Sequence, residues 1–193
     1  MKNILLLIAV FFSATLFAQD NTLPNTKVRD LKGKTIPFNE TVEKGKVTLI
    51  SFWATWCIPC KQEIKNIKTK LEGWQNEADF NYMTVSIDDS RATAMVKTYA
   101  SSQGWKFPTY LDANSDLKRS LNFQNVPFTM IIDQNGKVVY QHTGYEEGGE
   151  NELFERIKKL VNGTDAAIET KEAKKEIEKV VEDAAKEVAE QVK

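Results

Sequence analysis

Phe52-Trp53-Ala54-Thr55-Trp56-Cys57-Ile58-Pro59-Cys60 holds both cysteines of a 193-residue chain. Immediately before it, Val47-Thr48-Leu49-Ile50-Ser51-Phe52 is a β-rich run suited to a buried central strand. After it, Cys60, Ile64, Ile67, Leu71 and Trp74 recur at helical spacing, and Lys61, Gln62, Lys65 and Lys68 fall off that apolar stripe. The two cysteines therefore stand where a strand hands over to an amphipathic helix.

That position has chemical consequences. Cysteines at i and i+3 meet across one helical turn, within the roughly 4.4–6.8 Å between Cα atoms that a disulfide accepts. Cys57, at the helix entrance, faces unpaired backbone N–H groups, whose dipoles favour a thiolate and lower its pKa from about 8.5. Pro59 fits the first turn, where a missing N–H costs nothing. Cys60, one turn in and on the apolar stripe, reads as a shielded thiol, so Cys57 is expected to attack and Cys60 to resolve. A zinc site needs about four ligands, and this chain offers two cysteines and His142. Haem attachment needs a histidine directly after Cys60, where Lys61 stands. An inert bridge is the structural alternative, but so small a loop constrains little of the unfolded chain.

Working outward, Lys27 to Phe38 reads as a hairpin turning at Lys32-Gly33. Strands are expected at about Phe80–Ile87 and Phe107–Leu111, with a helix from a Ser90 cap to about Ser102 and a short one over Asp116–Leu121. Phe128–Asp133 and Lys137–Gln141 flank Gln134-Asn135-Gly136, a hairpin signal, and Asn151–Val161 closes the domain as a helix. This alternation specifies an α/β fold: a mixed central sheet flanked by helices, with an N-terminal β-hairpin and a C-terminal helical tail.

The ends differ from the middle. Residues 1–18 combine Lys2, an apolar run from Ile4 to Phe17 and a closing Ala18, the layout of a signal peptide too short to span a membrane. Residues 19–162 form the domain. Residues 163–193 are rich in Ala, Glu, Lys and Val, with a weak heptad stripe through Ile177, Val181, Ala184 and Val188. They read as a solvated helical or disordered tail, or as a surface for a partner helix or self-association. With 26 basic and 27 acidic side chains, the chain has no basic excess with which to bind nucleic acid.

The Phe52–Cys60 stretch resembles the active site of the thioredoxin superfamily, and is most similar to its TlpA/ResA-like thiol–disulfide oxidoreductases. Val126-Pro127, followed by an apolar strand and Asp133-Gln134-Asn135-Gly136-Lys137-Val138, resembles that group's cis-proline loop and terminal hairpin. Glu63, three residues after Cys60, stands at the place of the group's active-site glutamate; on spacing alone it reads first as a favourable charge in the first turns of a helix, and the resemblance puts the two readings level. Ser51 stands where thioredoxin carries a buried aspartate, which leaves Glu63 as the candidate to move protons at Cys60. The resemblance implies a thioredoxin-like fold and Cys57, Cys60 and Glu63 as catalytic residues, with no cofactor and no metal. Trp56, Ile58, Pro59, Val126 and Pro127 would contact substrate, with Val126 offering backbone hydrogen bonds to an extended segment. Trp53 and Trp56 are expected to divide between core and lip, and Phe128 to make the groove apolar. His142 reads as solvated or packed.

The expected activity is disulfide exchange with protein thiol and disulfide substrates in the cell envelope. The protein would be periplasmic after signal cleavage and act as a reductant renewed by a membrane electron donor, with cytochrome c maturation as the role the resemblance suggests. A thiol oxidase or isomerase, and a non-catalytic peptide-binding assembly module, are the alternatives.

Overall fold

The computed structural model describes residues 21–163. The expected signal peptide and nearly all of the expected tail lie outside them. Strands β1 (Lys27–Asp30) and β2 (Thr35–Pro37) form the early hairpin, and β3 (Val47–Trp53) is buried at every residue. Helix α1 (Ile58–Glu77) follows the Cys motif, then β4 (Phe80–Ser86), α2 (Thr93–Ser102), β5 (Thr109–Leu111) and α3 (Asp116–Ser120). The hairpin β6 (Phe128–Ile132) and β7 (Val138–Thr143) leads to α4 (Gly149–Val161).

Among the described residues the strands join one seven-stranded sheet in the order β2-β1-β5-β4-β3-β6-β7. β3–β4 and β4–β5 are parallel, and the remaining pairs are antiparallel. The mixed α/β architecture expected from the alternation is therefore present. Among the boundaries that move, Ser90 does not cap α2. Asp89 instead accepts the Arg91 amide and starts a single 3-10 turn (Ser90–Ala92) ahead of the helix. A carboxylate outcompetes a hydroxyl one residue away as an acceptor for the free N–H.

The sheet's two faces follow from residue parity along β3. Ile50 and Phe52 point to a layer with Phe38, Leu117, Phe123 and Phe128, where the Phe123 and Phe128 rings stack at 4.2 Å. Val47 and Leu49 point the other way, to Ile67 and Trp74 of α1 and to Leu153, Phe154 and Ile157 of α4. Trp53, on that same side, packs with Cys57, Cys60, Ile64 and Val96 of α2. The strand end and the helix start are thus locked together by apolar contacts around the cysteines. Ile67 is fully buried in this layer, so Ile67→Val is expected to cost about 1 kcal/mol in chemical denaturation, with an unchanged denaturant slope.

Candidate active site

Cys57 and Cys60 are bridged, with Cα atoms 5.4 Å apart. Cys57 is the N-cap of α1 in an extended conformation, and its sulfur accepts the Cys60 amide at 3.3 Å. Pro59 lies in the first turn, where its lack of an N–H leaves the hydrogen-bond ladder intact. The sequence reading expected an open Cys57. In the bridged form it keeps 4% exposure against none for Cys60, because Trp53, Ala54 and Val96 pack around the pair. The difference between the two cysteines survives as this small residual exposure of Cys57. Trp56 and Ile58, either side of Cys57 in the chain, are 67% and 75% exposed.

The two tryptophans separate cleanly. Trp53 is wholly core, edge-on to Trp105 at 4.9 Å, and Trp56 is at the surface. The Val126–Pro127 peptide is cis, and half-buried Val126 packs against the cluster that holds both cysteines. Among the described residues no backbone hydrogen bond uses Val126, while the Pro127 carbonyl accepts the Gly144 amide at 2.7 Å. Phe128 does not line this surface. It is buried against Phe52 and Phe123 because its place in β6 turns it to the opposite face of the sheet. His142 is exposed on β7, across from Thr129.

Glu63 is 2% exposed on the inner side of α1, one turn beyond Cys60. Thr129 donates to its Oε1 at 2.8 Å, and its Oε2 has no partner. Thr129 pairs with Ser51 across β3 and β6, and the Ser51 hydroxyl lies 3.2 Å from the buried Tyr82 phenol. Burial pushes the Glu63 carboxyl up to about 7, the Thr129 hydrogen bond holds it partly back, and the charge of Glu150 raises it further. Burial also pushes the Tyr82 phenol up, so that it stays neutral.

Asp88 was not singled out in the sequence. Buried just after β4, it accepts the Thr55 amide at 2.8 Å, the Thr55 hydroxyl at 2.6 Å and the Ser86 hydroxyl at 2.7 Å. Lys61 donates to the Thr55 carbonyl at 3.0 Å and sits over the Tyr99 ring. The loop entering Cys57 is therefore held from both sides. Asp88 lies 33 residues from Thr55, and no local spacing signals such a contact.

The arrangement is a disulfide between a slightly exposed and a fully buried cysteine, with a buried carboxyl one turn beyond the second on α1. The AhpC/TSA family matches residues 19–141. The chain belongs to the AhpC/TSA family. Among the relatives of this AhpC/TSA chain, thiol-disulfide oxidoreductase ResA of Bacillus anthracis is 30% identical over 137 residues, covering 71% of this chain and 75% of that protein. An uncharacterized thioredoxin-like protein from Porphyromonas gingivalis superposes with a TM-score of 0.66 at 41% identity, covering 74% of this chain and 93% of that one. A putative thioredoxin from Neisseria meningitidis does so at 0.61 with 27% identity, covering 77% and 95%. The thioredoxin-like fold and the ResA-like resemblance both hold, and this AhpC/TSA member is an enzyme of the thiol–disulfide oxidoreductase class.

Proposed function

We propose that the enzyme is a reductant of protein disulfides in the cell envelope, exported by residues 1–18 and acting through the 19–162 domain. The observation that carries this reading is the unequal exposure of the two cysteines at the start of α1. In the reduced enzyme the Cys57 thiolate attacks a substrate disulfide and expels one substrate sulfur as a thiolate, leaving Cys57 joined to the other. Cys60 then gives its proton to Glu63 and attacks the Cys57 sulfur. The second substrate sulfur leaves as a thiolate, and protonation of both gives the free thiols. Two electrons pass to the substrate, and the Cys57–Cys60 bridge forms.

Trp56, Ile58 and Pro59 form one side of the docking surface. Val126 offers its unused backbone groups on the other, and cis Pro127 fixes that loop. A buried thiol must lose its proton for the resolving step, and a carboxyl poised near neutrality one turn further along α1 supports its role as the acceptor. A membrane electron donor would restore the dithiol. No helix of the described residues is long and apolar enough to cross a membrane.

Redox titration of the full-length protein against glutathione tests the direction. A potential near that of thioredoxin, roughly −270 mV, is expected; one near roughly −120 mV would instead make the enzyme an oxidant.

A further inference from the structure

Cys57 enters α1 through the turn Ala54 to Cys57, closed by the Cys57 amide donating to the Ala54 carbonyl at 3.0 Å. Thr55, second in that turn, has its amide, hydroxyl and carbonyl all engaged by charged side chains. The amide and hydroxyl donate to the two oxygens of Asp88 at 2.8 and 2.6 Å, and the carbonyl accepts from the Lys61 ammonium at 3.0 Å. Asp88 is itself fixed. It is 5% exposed, the Ser86 hydroxyl donates to it at 2.7 Å, and its own amide donates back to that hydroxyl at 3.1 Å. The Ile87 amide donates to the Trp53 carbonyl at 2.9 Å, so the chain after β4 also grips the end of β3. A turn needs no more than its own closing bond, and this one is held by far more. The reaction above makes no use of Asp88 or Thr55.

We infer that Asp88 is a positioning residue for Cys57: through Thr55 it fixes the turn, and so holds the Cys57 sulfur against the start of α1 when the disulfide is open. In the bridged form the bond to Cys60 keeps that sulfur in place, where it accepts the Cys60 amide at 3.3 Å. Reduction removes the bond. Cys57 is then held through its backbone, by the Lys61 amide donating to its carbonyl at 3.2 Å and by the turn that Asp88 and Lys61 clamp. A thiolate gains from the Cys60 amide and the helix dipole only while it stays there, because both act at short range. The clamp therefore favours the dithiol form over the bridged one and raises the reduction potential. The other charged or titratable groups around the turn are Lys61, Glu63 one turn beyond Cys60, and Tyr99 beneath Lys61, whose phenol burial pushes up. As a bare charge Asp88 would act the opposite way and disfavour a nearby thiolate, so position and charge differ in sign. The inference rests on Cys57 being the attacking thiol in the reaction proposed above.

The test reads the pH dependence of Cys57 alkylation by iodoacetamide in the reduced full-length protein, together with the dithiol–disulfide equilibrium against glutathione. Thr55→Val removes the hydroxyl donor and keeps every charge. Asp88→Asn puts an amide where two oxygens met three donors. Both are expected to raise the thiolate midpoint by about half a pH unit and to shift the equilibrium about threefold toward the bridge, the scale of one lost hydrogen bond. Thr55→Ser, which keeps the hydroxyl, is expected to match the native protein. An Asp88→Asn midpoint below the native one would overturn the inference, because Asp88 would then act through its charge. Thr55→Val lowering the thermal stability of both redox forms equally, with midpoint and equilibrium unchanged, would overturn it too, as the mark of a structural staple. Should Asp88→Asn not fold, Thr55→Val alone decides. If the midpoints move as expected while the pH profile of insulin reduction stays fixed, the positioning stands and the attacking role given to Cys57 falls.

Discussion

Cys57→Ser is expected to reduce insulin disulfides at background rate, a loss of at least about three orders of magnitude. The serine hydroxyl stays protonated at the helix start, so the N-terminal dipole that favours a thiolate has no ion to stabilise, and nothing attacks the substrate bridge. Folding should survive, since the disulfide closes a loop across three residues and the surrounding packing is apolar. Cys60→Ser is the complementary case. It retains the attacking sulfur and lacks the resolving one, so it should accumulate a covalent adduct with substrate, visible as added mass that a reductant removes. Insulin reduction by Cys57→Ser within about tenfold of the native enzyme would end the assignment of Cys57 as the attacking thiol.

The second large effect concerns Glu63. Its carboxyl sits at about 7 when folded, against 4.5 when exposed, so between those values the folded state holds a proton that the unfolded chain has released. Stability is then fullest below about pH 4.5 and falls as pH rises through 7, by an amount on the order of 3 kcal/mol. Glu63→Gln removes this slope, because the amide does not ionise and can still accept from Thr129. Denaturation of the bridged protein at pH 4.5 and 8 measures it: the native protein weakens over that interval, and the variant lacks this contribution. The same substitution should shift the pH profile of Cys60 reactivity, since no other carboxyl stands one turn beyond it on α1. Parallel stability curves for the two proteins would show that folding leaves the Glu63 carboxyl at its ordinary value.

Much of the site was legible in the sequence for a plain reason: its centre is local. Strand β3, the cysteines and α1 are contiguous, and both hydrophobic periods are strong there. Glu63 was legible through its spacing from Cys60, though whether that spacing meant burial depended on β6 supplying Thr129 from 66 residues away. Contacts closed over long separations left no such mark. Asp88 reaches Thr55 across 33 residues, and Lys70 reaches Glu150 across 80. Phe128 was placed on the substrate side because a one-residue difference in strand parity exchanges the faces of a sheet, and neighbouring residues alone do not reveal which face is which. The near-burial of Cys57 was illegible for the same reason, as Val96 arrives from α2.

The slight exposure of Cys57 against the full burial of Cys60 bears on turnover in the reaction proposed above. If the partner that oxidises the enzyme and the one that restores it both react at Cys57, the two are not expected to be bound together. Turnover is then a double displacement. Plots of reciprocal rate against reciprocal substrate should run parallel as the electron donor is varied, and each partner in excess should inhibit by occupying the form meant for the other.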